Sequence, residues 1–182
     1  MTNGILANHI GIIAIGSGLI AASIYWLMMS VTIAHIEAIS GLVPFDMRPA
    51  GYGPTQAAAL LDALGVEGRA YYLSHQLTLD TLYPAKLAVT LIATICWLGQ
   101  RRPDKRFIRI GIALSGASAL FDYAENLGIM TMIWSWPGVF GPLVYAASSA
   151  TILKSISTTL AVLLVLFLGF HRARHPKATR PL

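Results

Sequence analysis

FIRIGIALSGASALFDYAENLGIMTMIW, residues 107–134, is the stretch on which the reading of the chain turns. It is apolar enough to cross a bilayer, whose core takes roughly 20 such residues in a helix. Yet it carries Asp122, Glu125 and Asn126. An ionised group at the centre of a spanning helix costs about 2.5–3.5 kcal/mol on insertion scales, so these side chains must face protein or water rather than acyl chains. Ser115, Ser118, Asp122, Glu125 and Asn126 recur at helical spacing, and Gly111 extends their face. A polar, small-residue stripe on an apolar helix points at other helices.

The rest of the chain agrees. It is 55% hydrophobic and 12% charged, against about 25% charged in soluble domains. Its 182 residues allow one membrane domain, 1–182, and no second one. The net charge of +5 gathers in two short blocks beside apolar segments, at 100–109 and in the tail 171–182. That pattern fits membrane orientation and argues against nucleic acid as a partner. The single cysteine, Cys96, lies in an apolar run, which excludes an intrachain disulfide and a thiolate metal cluster.

Four spans are expected, at about 10–34, 81–98, 107–134 and 143–170. The first is uncharged and too long for a signal-peptide core, so it reads as retained. Its Ala14 and Gly18 form a small-xxx-small pair suited to close helix packing. Gly41 to Pro44 ends this helix. Pro54 has the look of a first-turn proline, with a short helix Thr55–Leu64 behind it and Gly65 as its cap. Ala57, Leu60, Leu61 and Leu64 give that helix one apolar stripe. A further helix starts near Glu67 and carries Tyr71, Tyr72, His75 and Gln76 toward the membrane. Pro84 interrupts the second span and frees a backbone carbonyl for another partner.

The expected fold class is all-α: an integral membrane antiparallel four-helix bundle with a short helical extracytoplasmic segment, 41–80, between spans 1 and 2. Lys and Arg dominate the 100–109 loop and the tail. They place both termini on the cytoplasmic side of the cell inner membrane.

A rise of 1.5 Å per residue sets side chains by depth. Lys86, Asp122 and Lys154 fall at roughly 20–24 Å from the cytoplasmic ends of their spans, with Asp80, Glu125 and Asn126 about one turn further out. Gln76, Asp80 and Tyr83 share a face of the second helix, and Thr151, Lys154, Ser155 and Thr158 a face of the fourth. These stripes predict a buried site in which Asp122 pairs with Lys86 or Lys154. His75, Gln76, Tyr83, Lys86, Asp122, Asn126 and Lys154 would bind a ligand. Asp80 and Glu125 would be acid–base groups if chemistry occurs. The competing reading is a structural ion-pair network that fixes helix register.

Metal is not expected: His35, His75, Glu37, Asp80 and Glu125 show no HxxxH or HxxE spacing. No cofactor is indicated, and His9, His171 and His175 fall at the cytoplasmic end, away from a haem-like arrangement.

FDMRPAGYG (45–53), LDALGVEGRAYYL (61–73), LDTLYP (79–84), FDYAEN (121–126) and Lys154 together resemble a group of small bacterial four-span membrane proteins. The resemblance covers 45–155. It implies the four-span fold and singles out Asp80, Asp122, Glu125, Asn126 and Lys154, but implies no activity.

The functional expectation is a membrane site, open to the outer face, that binds or processes an apolar or lipid-like ligand. The alternatives are an accessory subunit of a larger membrane complex or a homo-oligomer, and a proton or ion pathway.

Overall fold

The computed structural model describes residues 2–100 and 104–174, with side chains from residue 9 onward. Part of the basic loop, 101–103, and most of the basic tail, 175–182 with His175, lie outside the described residues.

Regular structure among the described residues is helical throughout. Helix α1 (Thr2–Leu27) runs through a wide π-helical turn, Met28–Ile33, into α2 (Ala34–Ser40). Gly41, at φ 67°, ends it. A 3-10 turn, Phe45–Met47, precedes α3 (Pro54–Ala63). Pro54 opens α3, and the Gln56 side chain accepts a hydrogen bond from Gly53 N–H at 3.0 Å. Gly65, at φ 60°, separates α3 from α4 (Gly65–Tyr71). Helix α4 continues through a second π-helical turn, Tyr72–Gln76, into α5 (Leu77–Leu98). Helices α6 (Lys105–Trp134) and α7 (Gly141–Arg174) complete the chain as described.

Four continuous helices, His9–Ser40, Gly65–Leu98, Lys105–Trp134 and Gly141–Arg174, are long and apolar enough to cross a membrane. They fit a multi-pass membrane protein. In the second, the helix expected to start near Glu67 and the span expected from about 81 form one continuous helix from Gly65. Gln76 and Asp80, in the part of this helix that reads as exterior, are both buried side chains.

Helix α5 is the hub, packing on α1, α6 and α7, while α6 and α7 pack on each other. The α1–α5 seam is made of small residues. Gly11, Ala14 and Ala21 are buried along it, and Thr90 Oγ1 donates to Ser17 Oγ at 3.0 Å. Between α6 and α7 the approach is closer still: a Cβ on Gly128 would sit 2.6 Å from Ala147 Cβ. Only glycine lets those backbones meet there. Trp97 meets Gly11 and the Arg172 guanidinium at one end of the molecule. Arg69 lies over Trp136 at the other.

Helix α3 covers this second end. Its Ala57, Leu60, Leu61 and Leu64 are all buried, in a core with Phe45, Tyr72, Ile129, Met132 and Val144. The short helix therefore lies on the long ones. Elsewhere burial is inverted relative to a water-soluble protein. Gln76, Asp80, Glu125 and Thr151 are inside, while Ile12, Leu19, Leu120, Leu163 and Leu166 are exposed. Contiguous exposed apolar surface of this kind belongs against lipid.

Candidate functional site

The site is built where α6 faces α7. Asp122 and Glu125 lie three residues apart on α6, and Thr151 and Lys154 three apart on α7, so each pair shares a helix face. The Gly128–Ala147 approach, one turn further on, brings the two faces into contact. Lys154 Nζ donates to Asp122 Oδ1 at 3.1 Å and lies 2.5 Å from Glu125 Oε2. Thr151 Oγ1 donates to Glu125 Oε1 at 2.8 Å. Glu125 is fully buried by this arrangement.

A second acidic layer comes from elsewhere in the chain. Phe45 is fully buried between the rings of Tyr52 and Tyr72. Anchoring Phe45 holds its neighbour Asp46 inward, where Tyr72 donates its hydroxyl to Asp46 Oδ2. Arg48 turns away and closes the loop on itself, donating to Val43 C=O at 3.0 and 2.7 Å. Gly51 adopts φ 85°, and Tyr52 N–H donates to Ser148 Oγ on α7 at 2.8 Å, which fastens the segment. Tyr52 is outside the spanning helices. Its burial, reinforced by the negative charges of Glu125 and Asp46, pushes the phenol well above its ordinary pKa, so it remains neutral.

Asp80 completes the acidic layer from α5. It is 2% exposed, and among the described residues no cation pairs with it and no N–H or hydroxyl donates to its Oδ2. Asp46 Oδ1 is likewise buried without such a donor. Both residues line a cavity of about 310 Å³. Tyr25, Met28 and Ile33 of the first long helix form one wall, and Met47 and Pro49 the lid side. Tyr83 and Leu87 of α5, Asp122 of α6, and Lys154, Ser155, Thr158 and Thr159 of α7 form the rest.

Four of the expected site residues, Asp80, Tyr83, Asp122 and Lys154, line this cavity together. The others do not. Of the two lysines expected as partners of Asp122, Lys154 makes the contact; Lys86 matches the depth of Asp122 but makes no ion pair among the described residues. Asp80, Tyr83 and Leu87 define the inward face of α5, and the 100° turn between Leu87 and Lys86 rotates the lysine off it. His75 is exposed on the outer surface, stacked on Tyr71 with ring centroids 4.3 Å apart. Gln76 is buried; its Oε1 accepts a hydrogen bond from Thr32 across the two π-helical turns, while its Nε2 has no partner among the described residues. Glu125 lies behind Lys154 and does not reach the cavity wall.

Asn126 has a structural task. Pro84 has no N–H, so the Asp80 carbonyl four residues earlier lacks its helical donor. Asn126 Nδ2 supplies one at 3.0 Å, and Tyr123 Oη donates to the neighbouring Thr81 carbonyl at 3.0 Å. The proline opens the ladder of α5, and α6 fills it.

No family profile, curated protein or solved structure matches this chain.

Asp46 is the cavity residue that sequence reasoning missed. It sits in a segment without periodicity. Its signal was the apolar–acidic pair Phe45–Asp46 held between Pro44 and Pro49.

Proposed function

We propose that the chain is an antiparallel four-helix bundle of the cell inner membrane, with both termini cytoplasmic and 41–64 on the outer face. Its cavity is proposed to hold an apolar or lipid-like ligand by a polar head. One observation carries this reading: the cavity of about 310 Å³ is walled by Tyr, Met and Leu side chains and lined by a buried carboxylate, Asp80, that pairs with no cation among the described residues. Small-molecule sites are largely apolar with a few convergent polar groups, and their volumes start near 300 Å³. Ionisable groups inside spanning segments also default to a functional role. A network that served only helix register would have no reason to leave Asp80 unpaired.

Processing of the ligand, as opposed to binding alone, would rest on Asp80 as the proton-exchanging group and Lys154 as the cation that stabilises developing negative charge.

Native mass spectrometry of the protein in mild detergent tests the proposal. A retained small molecule, lost on Asp80→Asn, is the expected result. A retained partner protein with no small molecule would favour an accessory subunit instead. Protease protection of a tag at Leu182 tests the orientation, and a cleavable tag on the outer face would reverse it.

A further inference from the structure

We propose that the head this cavity selects is an ammonium group: the ligand is a cationic amphiphile, with its chain leaving along α7. The inference rests on reading the cavity as a ligand site and adds the charge of what enters it.

Charge balance comes first. Among the described residues, Asp46, Asp80, Asp122 and Glu125 gather around a single cation, Lys154. Lys154 already lies against Asp122 and Glu125, so it offers no free positive charge to an anionic head. The neighbouring cations are turned elsewhere, Arg48 onto the Val43 carbonyl and Lys86 off the inward face. What the cavity does offer is acceptors. Asp80 and Asp46 line it, and neither carboxylate has a cationic partner among the described residues. An ammonium brings three donors and a positive charge in one compact group. A phosphate or carboxylate head would bring acceptors to acceptors.

The walls fit the same ligand. The rings of Tyr25 and Tyr83 lie 5.7 Å apart at the cavity wall and present aromatic surface to a cation. Met28 and Leu87 suit the first methylenes of a chain. Ser155 and Thr159 line both this cavity and a shallow apolar groove that continues to Ile156 and Leu160 on the surface of α7. A chain leaving the cavity past Ser155 and Thr159 would therefore meet the groove on the lipid-facing side.

An ammonium head occurs on free alkylamines and on ethanolamine lipids, and the test separates them. Full-length protein in maltoside is titrated with dodecylamine, lyso-phosphatidylethanolamine, dodecyl phosphate and dodecanol, and binding is read by thermal shift. Dodecylamine or the lyso-lipid is expected to raise the melting midpoint where dodecyl phosphate and dodecanol do not, and the stronger of the two names the source. Asp80→Asn is expected to weaken that binding by about thirtyfold or more, as loss of one member of a buried charge pair does. Asp46→Asn, in the loop segment, provides a second variant should Asp80→Asn fail to fold. Equal or tighter binding of dodecyl phosphate overturns the proposal, as does wild-type affinity for the ammonium in both variants. Binding of no amphiphile of any charge defeats the ligand-site reading itself.

Discussion

The two ends of the helix packing follow opposite rules. Inward of Trp97, whose ring carries the Arg172 guanidinium, the packing is largely apolar. Ile95, Ala161 and Leu168 are buried, and a Cβ on Gly111 would press on Ile95 and Leu164. Ser115, the buried polar residue there, turns its hydroxyl back to its own helix at the Gly111 carbonyl. Around Lys154 the same helices bury Gln76, Asp80, Asp122, Glu125, Asn126 and Thr151, and α5 contains a proline. Both π-helical turns also lie toward this end, where Thr32 and Gln76 join them. Such turns recur at functional sites. The apolar end is held by shape, which tolerates small changes. The polar end is held by particular partners, each of which leaves a buried group stranded when removed.

The largest effect expected follows from that difference. Lys154→Ala strands two buried carboxylates, and losing one partner of a buried ion pair costs about 3–5 kcal/mol. The melting midpoint in detergent should fall further than for any other single change named here. Asp122→Ala should also destabilise markedly, since Lys154 then has Glu125 alone. Ser118→Ala removes only a hydroxyl contact with Thr158, at 2.5 Å, and should cost far less. Replacing Lys154, Asp122 and Glu125 together by Met, Asn and Gln should recover much of the loss, because a buried ion network can be exchanged for neutral groups at little cost. If Lys154→Ala melts with the wild type, the polar end is not held by its charges and the contrast fails.

A smaller effect concerns the segment that delivers Asp46. Gly51 adopts φ 85°, and a Cβ there would come 2.5 Å from Ser148 Oγ. Left-handed backbone costs an L-residue roughly 1–2 kcal/mol before any clash is added. Gly51→Ala should therefore lower the midpoint and loosen 45–52, read as faster amide exchange at Tyr52. Gly16→Ala, where nothing lies within 4 Å of the new methyl, should be neutral or slightly stabilising, as alanine favours helix. Equal midpoints for these two variants would mean that the loop is not fastened through Ser148.

Much of this was legible in the residues because bilayers impose lengths and stripes impose faces. The apolar runs marked the long helices, and the i, i+3 spacing of Asp122 with Glu125 and of Thr151 with Lys154 marked the faces that meet. Depth alone did not suffice for Lys86, since two side chains at one level still differ by their angle around the helix. That the helix from Gly65 runs unbroken to Leu98 was not legible, because Gln76 and Asp80 are polar. Hydropathy does not distinguish a polar group facing water from one facing a protein interior. Asp46 was out of reach for another reason: a loop has no period, and only the burial of Phe45 fixes where its neighbour points.

The smallest effect is also the sharpest test of how the polar end works. Asn126→Ala should cost about 0.6 kcal/mol, with roughly 1.7 as the upper end for hydrogen bonds between spanning helices. The cost arises because Pro84 leaves the Asp80 carbonyl without its own helical donor, so Asn126 stands in. Pro84→Ala restores an N–H at that position. In that background the carbonyl has its donor again, and Asn126→Ala should cost close to nothing, a coupling that a double-mutant cycle reads directly. Thr90→Val at the α1–α5 seam is the matching control. It removes the bond to Ser17, but the seam there is shaped by Ala14, Gly18 and Ala21, so the change should be a few tenths of a kcal/mol in either background. A cost for Asn126→Ala that is unchanged by Pro84→Ala would mean the asparagine acts through packing. The polar end would then obey the same rule as the apolar one.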